Sequence, residues 1–387
     1  MNENPQSRSK HRTLTCRRTF SRGLGIATFG VLLVLMIVPA ARAQYIIGAD
    51  VSFAKQATDE GTVFKDNGKA MPVLQILKDH GYNWIRLRLF VNPTKLPNNL
   101  AYTIASAQAA KKLGFKFLLD LHYSDTWADP GHQITPKAWS GMNHEQLVEQ
   151  VFTYTRNTIE ALRKAGVLPD MVQIGNEITN GMLWPDGKLP ANWKQFTDLL
   201  KAGINGVDAG HGNEPRPQIM IHIDRGGDWK ATHYFFDHLA KYRVHYDVIG
   251  ESYYPWWQGS LNALRYNLYM TATTFHKPII LAEVAYPWKK LQFHIPAKFL
   301  KEHPKLKNFK PHFHLGPPPF PMTPAGQKEF LQAVYRTVLD TPDNLGKGLF
   351  WWEPAVPANT PLRVRGLFGD SGNALPAITV FDEYTRR

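Results

Sequence analysis

Eight times between residues 45 and 354, a short run of apolar and β-branched residues stops abruptly at polar or aromatic ones, and most intervals between the runs are spaced like helices. This alternation limits the fold more than any other feature. Strands separated by helical crossovers pair in parallel, are buried on both faces and carry their chemistry at their carboxyl ends. The runs fall at 45–51, 84–90, 115–123, 172–178, 218–224, 248–254, 279–285 and 348–354. Helices are expected at 102–113 (alanine-rich, closed by Gly114), 193–209, 260–275 and from Thr323-Pro324 to Leu339. Asn143-x-x-Gln146 reads as a capping box opening another, with Leu147, Val151, Tyr154 and Leu162 on one side. Eight strands with helical spacers over about 340 residues fit an α/β chain closed into a single (β/α)8 TIM barrel, and no linker divides it.

Chemistry is then sought at the strand tips. The fourth run, Val172-Gln173-Ile174-Gly175, delivers Asn176 and Glu177, and the seventh, Ile279-Ile280-Leu281-Ala282, delivers Glu283. Two carboxyl groups at barrel strand ends are what glycoside hydrolysis needs, one to protonate the leaving oxygen and one to attack or to activate water. Other strand tips carry Asp50, the pair His222 and Asp224, and a cluster of His122, Tyr123, Asp125 and Trp127. Aromatic faces stack on pyranose rings while Asp and His bond to hydroxyls. Arg86 and Arg88 share one face of the second strand, either as a buried ion pair or to orient the attacking carboxylate. Glu251 and Glu353 are the competing strand-end carboxyls, and Glu251 shares the parity of Tyr253.

The first 43 residues form no part of the barrel. A basic opening, an apolar run from Ile26 to Val38 and Ala41-Arg42-Ala43 read as a signal peptide, giving a catalytic domain of residues 44–387, exported to the periplasm or medium. Arg17-Arg18-Thr19-Phe20 also has the form of a twin-arginine signal; an uncleaved anchor is the alternative. Seven Lys/Arg and one Glu lie in this leader, so the formal +13 falls to +7 on the remainder. That remainder shows no basic run interleaved with aromatics, which argues against nucleic acid as a partner, and no membrane association is expected after cleavage. The one cysteine, Cys16, is in the leader, so neither disulfides nor thiolate metal sites are expected in the domain. Residues 289–321 are basic, rich in His and Pro and without periodicity, and His294, His303, His312 and His314 lack metal-ligand spacing.

Taken together, Gly48-Ala49-Asp50-Val51-Ser52, Ile85-Arg86-Leu87-Arg88, the stretch from Leu119 to Pro130, Gln173 to Gly181, Asp224-Arg225-Gly226-Gly227-Asp228, Ser252-Tyr253-Tyr254-Pro255 and Trp352-Glu353-Pro354 resemble the family 53 glycoside hydrolases, arabinogalactan endo-β-1,4-galactanases. The resemblance implies a TIM barrel of the retaining glycosidase clan, with Glu177 as acid/base, Glu283 as nucleophile and Asn176 as partner of the sugar's 2-hydroxyl. It places Arg86, His122, Tyr253 and Trp352 around the cleaved sugar. Arg86 and Tyr253 are expected to hold Glu283 ionised, and Trp127, Trp256 and Trp288 to stack along an open groove. The implied substrate is plant cell-wall galactan or arabinogalactan; a retaining mannanase, xylanase or glucanase, or an inactive carbohydrate-binding protein, is the alternative. A monomer with no cofactor and no calcium is expected, since residues 355–370 are short and lack an acidic cluster.

Overall fold

Each expected apolar run forms a strand, and every strand of the set lies parallel to its neighbours. In the computed structural model, which describes residues 45–290 and 318–385, the strands are β1 (Ile46–Asp50), β2 (Trp84–Leu89), β3 (Lys116–Leu121), β4 (Met171–Ile174), β5 (Gln218–Ile223), β6 (Val248–Tyr253), β7 (Ile279–Val284) and β8 (Gly346–Trp352). They close in sequence order, with β1 paired to both β2 and β8. The expected leader and the four histidines of the basic segment lie outside the described residues.

Between the strands run α1 (Val73–Asp79), α2 (Leu100–Lys112), α3 (His144–Lys164), α4 (Trp193–Gly210), α5 (Trp229–Lys241), α6 (Leu261–Phe275) and α7 (Pro324–Leu339). Their starts are written locally. Asn99, Asn143, Asp228, Ser260 and Thr323 each accept a backbone N–H of the first turn, and Asn143 and Gln146 complete the reciprocal capping box. Each such cap is worth about 1 kcal/mol. After β8 a 3-10 segment, Pro376–Phe381, packs on α7 in the position of an eighth helix.

Strand parity separates two cores. Outward residues such as Leu87, Leu119, Val172, Ile221 and Leu281 meet the helices, whereas Ile46, Trp84, Leu118, Met171, Met220, Val248, Ile280 and Phe350, one from each strand, plug the barrel floor. Phe350 needs the space over Gly48, where any Cβ would run into its ring. Above this apolar plug the inward positions turn polar: Asp50, Arg86, Arg88, Asp120, Gln173, His222 and Ser252, all buried. The floor thus seals the amino end, and the charge is stacked toward the carboxyl end.

Candidate active site

Arg86 is the hub of the polar layer. Its guanidinium is 1% exposed; Nη1 donates to Asp50 Oδ2 at 2.7 Å and Nε to Gln173 Oε1 at 3.2 Å. Nη2 lies 2.9 Å from Asp120 Oδ2, 2.8 Å from Asn176 Oδ1 and 3.0 Å from Glu283 Oε1. Burial opposes this cation, but Asp120, Glu283 and Asp50 outweigh it and raise its pKa further. Gln173 donates to Asp120 and Asn176, and His122 Nε2 lies 3.0 Å from Asp120 Oδ2 while its Nδ1 accepts the Ala128 N–H. Asp50, His122 and Arg86 therefore form the support of the site.

Two backbone irregularities aim the carboxyls. Strict alternation after Gln173 would send Gly175 inward; φ +79° at Gly175 and +47° at Glu177 break it, turning Asn176 inward and Glu177 to the cleft. A Cβ on Gly175 would also crowd Ile178. On β7, Ile280 and Ala282 face the barrel interior, so Glu283 by parity should face the helices. Register shifts against both neighbouring strands around residues 281–284 re-aim it.

The result is a cleft of about 320 Å³ lined by Glu177 and Glu283 together, with Asn176, Trp127, Tyr254 and Trp352 around them. Glu283 receives Arg86 at Oε1 and the Tyr254 hydroxyl at Oε2, 2.8 Å away. Burial pushes Glu283 up to about 7, held from going higher by Arg86 and Tyr254. Glu177 is driven well above the usual carboxyl range, by burial first and then by Glu283 and Asp224. Its Oε1 lies 2.6 Å from Ser252 Oγ, which lies 2.9 Å from His222 Nε2. Asp224 accepts the Thr179 hydroxyl at 2.5 Å and lies 3.2 Å from Arg225. One buried carboxyl is thus clamped by a cation and a phenol, and its neighbour is surrounded so as to stay protonated.

Several expected site residues lie elsewhere. Tyr253 points to the helix layer: its hydroxyl donates to Gly259 O, its ring stacks on Phe330, and Tyr254, one residue on, meets Glu283. Tyr123 likewise faces outward, bonded to Thr155 of α3. Asp125 accepts the Asn92 and Lys137 N–H groups and so braces its loop. Trp256 is packed under Tyr254 and is 7% exposed, while Trp257, 55% exposed, lines the cleft. Trp288 fastens the segment after β8 through Val364 O and Arg363 O. Of the rival carboxyls, Glu251 faces outward to Thr232 and Asn267, and Glu353 pairs with Arg88. Arg88 in turn lies 4.2 Å over the Trp127 ring, which supports that cleft wall.

Reasoning on the sequence missed Tyr254, Ser252, Asp129, Trp257, Leu362 and Arg365, of which all but Ser252 line the cleft. Arg365 reaches it from the 3-10 segment Pro361–Arg365 and lies 4.8 Å over the Trp256 ring.

Comparison with known proteins fixes the family. The model of glycosyl hydrolase family 53 matches residues 46–381. This chain belongs to that family and is a glycosidase. It is 37% identical to the probable arabinogalactan endo-β-1,4-galactanase A of Neosartorya fischeri, over 81% of this chain and 85% of that one. The arabinogalactan endo-β-1,4-galactanase of Thermothelomyces thermophilus is 34% identical, over 86% and 98%. Among solved structures, the Ignisphaera aggregans family 53 catalytic domain superposes with a TM-score of 0.77 at 33% identity, covering 89% of this chain and 97% of that one. A fungal β-1,4-galactanase gives 0.75 at 33%, covering 87% and 99%.

Proposed function

We propose that this family 53 hydrolase cleaves β-1,4-galactosidic bonds within galactan or type I arabinogalactan, with retention, after export and removal of residues 1–43. The observation that carries the mechanism is the contrast between the two cleft carboxyls: Glu283 clamped by Arg86 and Tyr254, Glu177 buried beside Asp224 and Ser252. The galactan substrate is supported by the names of the relatives.

In the first step Glu283 attacks the anomeric carbon, the bond to the leaving oxygen breaks, and that oxygen takes the proton from Glu177. In the second, Glu177 removes a proton from water, which attacks the same carbon and releases Glu283. Retention of this kind needs the two carboxyls about 5–5.5 Å apart. Asn176 gives one amide hydrogen to Ala128 O, leaving the other for a sugar hydroxyl. Trp127, Trp257 and Trp352 offer ring faces to the chain.

Glu177→Gln and Glu283→Gln, assayed by reducing-sugar release from linear galactan beside xylan and mannan, test both parts. Each variant should lose at least about a thousandfold in rate on galactan while folding normally. Near-native activity in either variant would overturn the roles, and preference for xylan or mannan by the unaltered enzyme would overturn the substrate.

A further inference from the structure

Behind Glu177 lies a chain of hydrogen-bonding groups whose direction decides what the acid/base feels. His222 is fully buried on β5, with Nδ1 3.0 Å from Asn176 Oδ1 and 3.4 Å from the Glu177 backbone N–H, and Nε2 2.9 Å from Ser252 Oγ. Ser252 Oγ completes the chain at 2.6 Å from Glu177 Oε1. A neutral imidazole has one N–H and one lone pair, and a hydroxyl has one proton to give, so the bonds must all run one way or all run the other.

We infer that His222 is the Nδ1–H tautomer and that, through Ser252, it acts as a positioning residue that keeps Glu177 protonated: Glu177 O–H donates to Ser252, Ser252 O–H to His222 Nε2, and His222 Nδ1–H to Asn176 Oδ1. The inference rests on the acid/base role proposed for Glu177. The reverse direction would leave the Nδ1 lone pair facing the Asn176 carbonyl oxygen at 3.0 Å; the inferred direction replaces that repulsion with a bond and gives up the longer one, 3.4 Å, that the Glu177 backbone N–H can donate to a bare Nδ1. Asn176 Oδ1 is fixed as an acceptor because Arg86 and Gln173 both donate to it, so an amide flip cannot relieve that clash.

The groups facing this chain agree with a neutral ring. Burial and Arg86 push the His222 pKa well down; Asp120 opposes them and His122 adds to them. Around Glu177 stand Glu283 and Asp224, which favour its proton, and Ser252 and Arg86, which disfavour it, Ser252 only when its hydroxyl donates to the carboxyl, the direction the inference excludes. With Ser252 committed to His222, an ionised Glu177 meets an oxygen lone pair where it would otherwise meet a donor. That raises the pKa of the carboxyl, so that it holds its proton to higher pH and, once it has protonated the leaving oxygen, is a stronger base toward water.

Two measurements on the intact enzyme decide it. Long-range ¹H–¹⁵N spectra of histidine-labelled protein, with His222 identified by difference against His222→Gln, should show Nδ1 protonated and Nε2 bare at pH 5–8. Ser252→Ala removes the acceptor of the Glu177 proton, so the alkaline limb of kcat/KM should move down by about one pH unit. An Nε2–H tautomer, or an alkaline limb that stays or moves up, would overturn the inference. Failure of the acid/base role itself would show separately, as near-native activity of Glu177→Gln, because the tautomer is read without turnover.

Discussion

Tyr254→Phe isolates the clamp on Glu283, since it deletes one hydroxyl and keeps the ring packed among Trp256, Trp257 and Trp352. The lost bond is 2.8 Å long, buried, and made to a carboxylate, a class worth about 1.5–3 kcal/mol. At 1.36 kcal/mol per pKa unit, the Glu283 carboxyl should rise by about 1–2 units from about 7. The sign follows from what is removed: the phenol stabilises the ionised form, so without it a higher pH is needed to ionise the nucleophile. In a kcat/KM profile on soluble linear galactan, the acidic limb should move up by that amount, with a loss of about 10–100-fold at pH values below it. Arg86 remains in place, so activity should recover substantially above the shifted limb. An acidic limb that does not move, with the variant folded, would refute the assignment of Tyr254 as the partner that holds the nucleophile ionised.

Other consequences can be measured on the same protein. Trp257→Ala should leave stability within about 0.5 kcal/mol and raise KM several-fold, whereas Trp256→Ala should cost about 3–5 kcal/mol in denaturant unfolding; equal effects would contradict the buried and exposed placements of the pair. Glu251 is raised by burial to about 7, so its native state holds a proton that the unfolded chain releases from about pH 4.5 upward, and stability should fall between those values by about 3 kcal/mol. Glu251→Gln should remove that share of the fall, read as a smaller drop in melting temperature from pH 5 to pH 8, the remainder coming from the buried Glu177, Glu283 and Glu353 carboxyls. Arg88→Leu strips Glu353 of its buried partner and Trp127 of its support, and should lower stability by about 3 kcal/mol with a rise in KM.

The barrel was legible because its evidence is local: apolar runs of strand length, caps such as Asn143 and Ser260, and helix-closing glycines such as Gly114. Parity, carried through consistently, also separates His122 inward from Tyr123 outward and Ser252 inward from Tyr253 outward. Tyr254 was therefore within reach of the sequence, and the expectation for Tyr253 followed family resemblance where counting along β6 gives its neighbour. Glu177 and Glu283 are different in kind. Both break the alternation of their strands, one by left-handed backbone and one by a register shift, and neither irregularity has a sequence signal strong enough to read in advance. Trp256 and Trp257 sit side by side in a four-residue helix, where one must be covered and the other exposed, and only packing chooses. Arg365 enters the cleft from a segment after the last strand whose path depends on Trp288 and Trp351 anchoring it from elsewhere.

The stereochemistry of the first sugar released is the most direct measure of the two-carboxyl mechanism. Time-resolved ¹H NMR of galactan digestion, begun before mutarotation, should show the β-anomer of the new reducing end appearing first. First appearance of the α-anomer would contradict attack by Glu283 on the anomeric carbon.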